Sequence, residues 1–191
     1  MRKFIAALQV SLDGFIEGDA GQLDWVDSWG DCFDLGPRID ACLLGGNMYP
    51  AYEQYWSTIL GDPTAILPHT CNPATEGELA YARFSQTTPH YVLSTGMGKP
   101  AWEHTTVLRH MDDVHRLKQA PGKDIHVVGG ATLVASLMKA DLLDEMQLVV
   151  HPVLLGAGKP LFSGLSAQKR LKAGTCAQLS GGRVKLTYLS N

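Results

Sequence analysis

Between Asp124 and Phe162, DIHVVGGATLVASLMKADLLDEMQLVVHPVLLGAGKPLF, the apolar pattern changes period twice, and glycine marks the first change. Ile125, Val127 and Val128 form the short β-branched run of a strand buried on both faces, and Gly129 with Gly130 stops it. Leu133, Val134, Leu137 and Met138 then recur at helical spacing, while Ala131, Thr132, Ser136 and Lys139 tolerate water. After a corner at Asp141 to Asp144, Met146 to Leu155 is apolar enough for a second buried strand. Two strands joined by one helix lie parallel with a right-handed crossover, so the stretch is a βαβ unit. A chain built on such a unit needs helices to cover its sheet.

A glycine pair that ends a parallel strand and opens a helix lets backbone approach a ligand, and the unpaired N–H groups favour a phosphate there. Gly129, Gly130, Ala131, Thr132 and Leu133 therefore form a candidate pyrophosphate cradle. The same pair also suits a plain tight turn, and spacing does not choose between the two. Ile39 to Leu44 repeats the pattern, with Gly45, Gly46 and Asn47 opening a second helix whose amino terminus suits an anion.

Elsewhere the chain alternates strand and helix. Phe4 to Val10 reads as the first, central strand, ended by the turn Ser11-Leu12-Asp13-Gly14. Glu17 to Trp29 has no clean period and reads as a loop folding over a site, followed by a helix around Asp27 to Leu35. Gly61 to Pro89 is a rim excursion in which only Thr75 to Phe84 looks helical, with Thr75 and Glu78 spaced as a capping box. Strands follow at His90 to Leu93 and Thr105 to Leu108, then a short helix at Asp112 to Gln119. Leu171 to Leu179 and the alternating Val184, Leu186 and Tyr188 make an antiparallel hairpin that closes the sheet.

With 191 residues and 45% hydrophobic content, one domain over 1–191 is expected. The net charge of -3, without a basic stripe, argues against nucleic acid. Cys32, Cys42, Cys71 and Cys176 have no metal spacing and the histidines are dispersed, so no metal site is expected. The amino terminus has no cleavage site after its brief apolar run, and no stretch reaches membrane-spanning length. A cytoplasmic protein without a membrane partner is the expectation.

The central stretch resembles the dihydrofolate-reductase-like superfamily, most closely the branch shared with the reductase domain of bacterial riboflavin biosynthesis. IAALQVSLDGFI at Ile5 to Ile16, DACLLGGNMY at Asp40 to Tyr49 and HYVLS at His90 to Ser94 match in the same order. The resemblance implies an α/β three-layer fold: a mostly parallel central sheet with an antiparallel carboxyl-terminal hairpin and helices on both faces. It also implies a reductase that binds NADPH, with NADH possible as the alternative, and a homodimer with its interface around Met146 to Leu155 and the GAGKPLF segment.

In its relatives, positions matching Ala7 and Ile16 meet the nicotinamide carboxamide, and Ser94 and Thr95 match positions that bond the adenosine 2′-phosphate. A cis peptide between Gly129 and Gly130 is implied as well. The chain departs from the pattern at Gly46, where relatives have an arginine that supports the phosphates. Either a cation comes from Lys99 or Arg109 or the preference for NADP over NAD is weakened, and Gly46→Arg is expected to widen the margin by which NADPH binds more tightly than NADH. The proton-donating Asp of dihydrofolate reductases falls here on Trp29, leaving Asp27 and Asp31 as the nearest carboxylates and Asp13 as a third candidate. The Glu that riboflavin reductases carry before the glycine pair is Val128.

Two functions follow. One is an NAD(P)H-dependent hydride transfer to a small pterin-like, pyrimidine-like or carbonyl substrate, with Trp25 and Trp29 able to close over a planar ring. The other is a non-catalytic nucleotide-binding sensor or scaffold. His126 and His151, inside predicted strands, read as hydrogen-bonded core residues.

Overall fold

The computed structural model describes residues 1–26, 28–30, 32–68 and 70–190. In chain order the elements are β1 (Phe4–Ser11), β2 (Phe15–Glu17), β3 (Ile39–Gly45), α1 (Tyr49–Gly61), α2 (Glu76–Thr87), β4 (His90–Leu93), β5 (Thr105–Leu108) and α3 (Met111–Gln119). They continue with β6 (Asp124–Gly129), α4 (Ala131–Lys139), β7 (Glu145–His151), β8 (Lys159–Pro160), β9 (Leu171–Gln178) and β10 (Val184–Ser190). Eight strands form one sheet in the order β5-β4-β3-β6-β1-β7-β10-β9, and β2 with β8 forms a separate ribbon. The pairs from β5 to β7 are parallel, and β10 runs antiparallel to both β7 and β9. None of the described helices is long and apolar enough to cross a membrane.

Side-chain alternation sorts the core into layers. Phe4, Ala6 and Leu8 of β1, with Ala41, Leu43, Ile125 and Val127, pack against Val114 and Leu117 of α3 and Leu133, Val134 and Leu137 of α4. Cys42, Leu44 and Val92 face the other way, onto Tyr49, Tyr52, Trp56 and Ile59 of α1 and Ala82 of α2. The crossover from β6 through α4 lands β7 on the far side of β1, so the two strands of the βαβ unit are parallel without touching.

Two expectations change. Met146 to Leu155 is a strand only to His151, because Pro152 has no N–H to continue a ladder. β7 is flanked by β1 and β10, and beyond its end Leu154 (69%) and Phe162 (39%) are exposed apolar side chains. The helix expected around Asp27 to Leu35 is absent from its described residues. Its amides go elsewhere: the Trp29 N–H to the distant Glu78 Oε1 at 3.0 Å and the Gly30 N–H to the neighbouring Ser28 Oγ, while Asp34 adopts φ 59°. By contrast α2 starts where Thr75 and Glu78 place it, with both halves of the capping box present.

Arg38 clamps the β7 end with a two-pronged contact to Glu145, at 2.9 and 2.7 Å. That bond holds the Glu145 carboxyl below its ordinary value of 4.5 despite burial. A depressed carboxyl contributes stability above its unfolded pKa and loses it as pH falls through the folded one. Glu145→Gln should therefore cost about 2 kcal/mol at neutral pH and reduce the acid sensitivity of the urea midpoint below pH about 4.5. This is less than the 3 to 5 kcal/mol of a fully buried pair, because the Arg38 side chain is 38% exposed.

Candidate active site

The carboxyl ends of β1, β3, β4 and β6 surround a cavity of about 680 Å³, closed on one side by the β2/β8 ribbon. This is where a parallel sheet leaves room, because its helices start beyond the strand ends. Two ends of the cavity differ in chemistry.

At the polar end the amino termini of α1 and α4 open onto the cavity through Gly45, Gly46 and Asn47 and through Gly130, Ala131, Thr132 and Leu133. Neither helix has a side-chain cap or an acid in its first turn. α2 and α3 differ: α2 carries Glu76 and Glu78 there, and Asp113 of α3 accepts from the Arg109 and His110 amides. The leading N–H groups of α1 and α4 thus have neither a neutralising side chain nor a partner inside their own helix. Gly129 lies behind the lining, with φ 131°, and its peptide to Gly130 is cis. A Cβ built on Gly130 would meet nothing within 4 Å.

Ser94 and Thr95 line the same end, and Arg109 joins them, its guanidinium donating to the Ser94 and Met97 carbonyls at 2.9 Å. Of the two cations considered from sequence, Arg109 reaches the cavity and Lys99 is not among its lining residues. Gly46→Arg is not the simple gain it promised. A Cβ there would stand 2.4 Å from Ser94 Oγ and 2.5 Å from Ser94 Cβ, so the new side chain must displace the serine it was meant to assist.

The other end is aromatic. Tyr52, Tyr55 and Trp56 from α1, Tyr81 from α2, and Trp29 and Phe33 from the preceding loop line it. Trp56 sits 4.6 Å from Tyr81 and 4.9 Å from Tyr55, centroid to centroid. Glu78 fastens this wall. Burial pushes its carboxyl up, but the Thr75 and Trp29 amides and the Thr75 and Tyr55 hydroxyls outweigh that and leave it below the ordinary range. Its charge is spent on fixing the Trp29 loop to α2.

Ala7 and Ile16 both line the cavity, as does Trp29, whereas Trp25 turns away and donates its indole N–H to the Gln22 carbonyl at 3.3 Å. Asp13 is not among the lining residues. It accepts from the Ser11 hydroxyl and from the Leu155 and Gly156 amides, and these bonds, the Ser11 one foremost, hold it below the usual carboxylate range. Its geometry is that of a clasp between the β1 turn and the loop after β7. Asp27 and Asp31 lie outside the described residues. Among the described lining residues the carboxylate is Glu17, paired with Lys159 at 3.0 Å.

Sequence reasoning missed the aromatic wall and His126. Tyr52, Tyr55 and Trp56 stand at helical spacing, a pattern that reads as core, and Tyr52 and Trp56 are indeed almost fully buried. His151 is a buried core residue as expected, 2.7 Å from Gln9 Oε1. His126 is buried and hydrogen-bonded too, yet it also lines the cavity.

Known proteins share this frame. The chain is 34% identical to the uncharacterized protein YyaP of Bacillus subtilis (strain 168) over 98% of its length and 94% of the relative's. It is 30% identical to YwjB of the same strain, covering 98% of each. Its fold matches a Thermotoga maritima diaminohydroxyphosphoribosylaminopyrimidine deaminase/5-amino-6-(5-phosphoribosylamino)uracil reductase with a TM-score of 0.62 and 17% identity, over 100% of this chain and 57% of that one. The family model described as RibD C-terminal domain spans residues 2–185, nearly every element around the cavity, and the chain belongs to that family.

Proposed function

We propose that this chain is an NAD(P)H-dependent reductase acting on a small planar heterocycle or carbonyl compound, with NADPH as its preferred cofactor. The observation that carries the reading is the pair of uncapped, acid-free helix amino termini opening on one cavity whose far end is aromatic. The N–H groups around Gly130 to Leu133 and of Asn47 would hold the pyrophosphate, and Ser94, Thr95 and Arg109 the 2′-phosphate. Ala7 and Ile16 would face the carboxamide. When bound, the nicotinamide would supply a hydride; the protein's part is to orient an acceptor, exclude water and provide a proton. Flat aromatic walls suit a flat acceptor, and the Thermotoga neighbour, a 5-amino-6-(5-phosphoribosylamino)uracil reductase by name, is in keeping with that class.

Steady NADPH oxidation with a pterin, pyrimidine or carbonyl acceptor would sustain the reading. Tight cofactor binding with no turnover across such a panel would favour the sensor. In calorimetric titrations NADPH should bind more tightly than NADH by a modest margin, and Arg109→Ala should remove most of it. A charge-assisted contact is worth about 1.5 to 3 kcal/mol. Equal affinities in the wild type would mean that Ser94, Thr95 and Arg109 do not read the 2′-phosphate.

A further inference from the structure

Among the described residues that line the cavity, the lysine, arginine and carboxylate side chains are Lys159, Arg109 and Glu17. Arg109 lies beside Ser94, where the 2′-phosphate is placed. Lys159 reaches the cavity from β8, and the reading so far gives it no anion.

The chain fixes where this lysine stands. Lys159 is opposite Glu17 in the β2/β8 ribbon, with its ammonium 3.0 Å from the Glu17 carboxylate. Gly158 draws the two strands together, since a Cβ there would stand 2.2 Å from the Glu17 carbonyl oxygen. After Lys159 the chain turns to α4. Leu161 donates its N–H to the Gly14 carbonyl at 3.1 Å and is buried in the core that also holds Ala131 and Leu133. Gly164 then presses on the same helix, where its own Cβ would be 2.7 Å from that of Ala135.

Lys159 also lines a side pocket of about 140 Å³ that runs along α4. Ala131, Thr132 and Ser136, from the first turns of the helix, line both this pocket and the main cavity, so Lys159 stands at the junction of the two. None of the described residues of the side pocket is acidic. Lys139 at its far end belongs to the last turn of α4, where a cation complements the helix dipole. The Ser136 hydroxyl donates to the Thr132 carbonyl at 2.8 Å. The Lys159 side chain is 51% exposed, so its ammonium is open to a ligand that lies across the start of α4.

We propose that Lys159 is the cation that holds the cofactor's pyrophosphate at α4, exchanging Glu17 for a phosphate oxygen when the cofactor binds. The proposal rests on the reductase reading. An exposed ion pair contributes little to stability, so its loss costs little. A charge-assisted bond to a phosphate oxygen is stronger, and the dipole of α4 favours the same anion. The two cations then divide the cofactor between them. Arg109 reads the 2′-phosphate, which NADPH has and NADH lacks, and Lys159 reads the pyrophosphate common to both. Glu17 opposes binding, because it competes for the ammonium and repels the phosphate.

Calorimetric titration of the full-length protein with NADPH and with NADH tests this. Lys159→Gln should weaken both by the same factor, about 5-fold to 30-fold, whereas Arg109→Ala should act on NADPH. Lys159→Arg keeps the charge and should lose less than about 3-fold, since a single-point contact tolerates the exchange. Glu17→Gln should tighten both cofactors by about 2-fold to 5-fold. A pair that merely held the ribbon in place would give the opposite sign. Urea midpoints of all three variants should stay near that of the wild type, because the pair is exposed. Unchanged affinities in Lys159→Gln, a loss confined to NADPH, or weaker binding in Glu17→Gln overturns the proposal and leaves the reductase reading standing. A wild type that binds neither cofactor overturns both.

Discussion

Gly130→Ala is expected to fold like the wild type and to bind NADPH about 10-fold to 100-fold more weakly, the cost of one charge-assisted contact. Gly130 has φ -84°, which alanine adopts without strain, and its added methyl would meet nothing within 4 Å. The space it enters borders the amino terminus of α4, where the proposed phosphate must approach. Gly129→Ala makes the contrast. At φ 131° a side chain is strained, and the methyl would also touch Leu8 Cδ2 and Met48 Sδ at 3.4 Å. That variant should lose about 1 to 3 kcal/mol of stability. Urea denaturation and calorimetry on the pair separate the effects; wild-type NADPH affinity in Gly130→Ala would mean that no phosphate docks there.

Trp56→Ala should cost about 3 to 5 kcal/mol, the range for deleting a buried tryptophan and leaving its cavity. The indole is 4% exposed and packs edge-on to Tyr55 and tilted against Tyr81. Trp56→Phe keeps a ring in the wall and should cost less. The urea midpoint should fall with the m-value unchanged if only stability is affected. A loss under about 1 kcal/mol would show that the wall is loosely packed and that neighbouring rings refill the gap.

Local patterns carried the elements with period and punctuation of their own. Thr75 and Glu78 announce α2 because both halves of a capping box are written within one turn. The βαβ unit around Gly129 was legible because its strand, turn and helix differ in period. The segment around Trp29 was not, because the Trp29 amide is taken by Glu78 of α2 rather than by a helical ladder, and no local pattern records a partner so distant in sequence.

The site divides the same way. Sequence by itself determined the glycine-rich helix starts, since each depends on backbone geometry that a few neighbouring residues specify, whereas Ser94 and Thr95 were marked only through the resemblance. Only the tertiary structure decided that Arg109 reaches the polar end, that Ser94 fills the space a side chain at Gly46 would need, and that Asp13 serves as a clasp. Only it set Tyr52 beside Tyr81 and His90, and Tyr81 beside His126. Those four residues come from four different elements, and parallel strands with crossover helices bring together residues far apart in the chain; the contacts between them have no spacing in sequence to read.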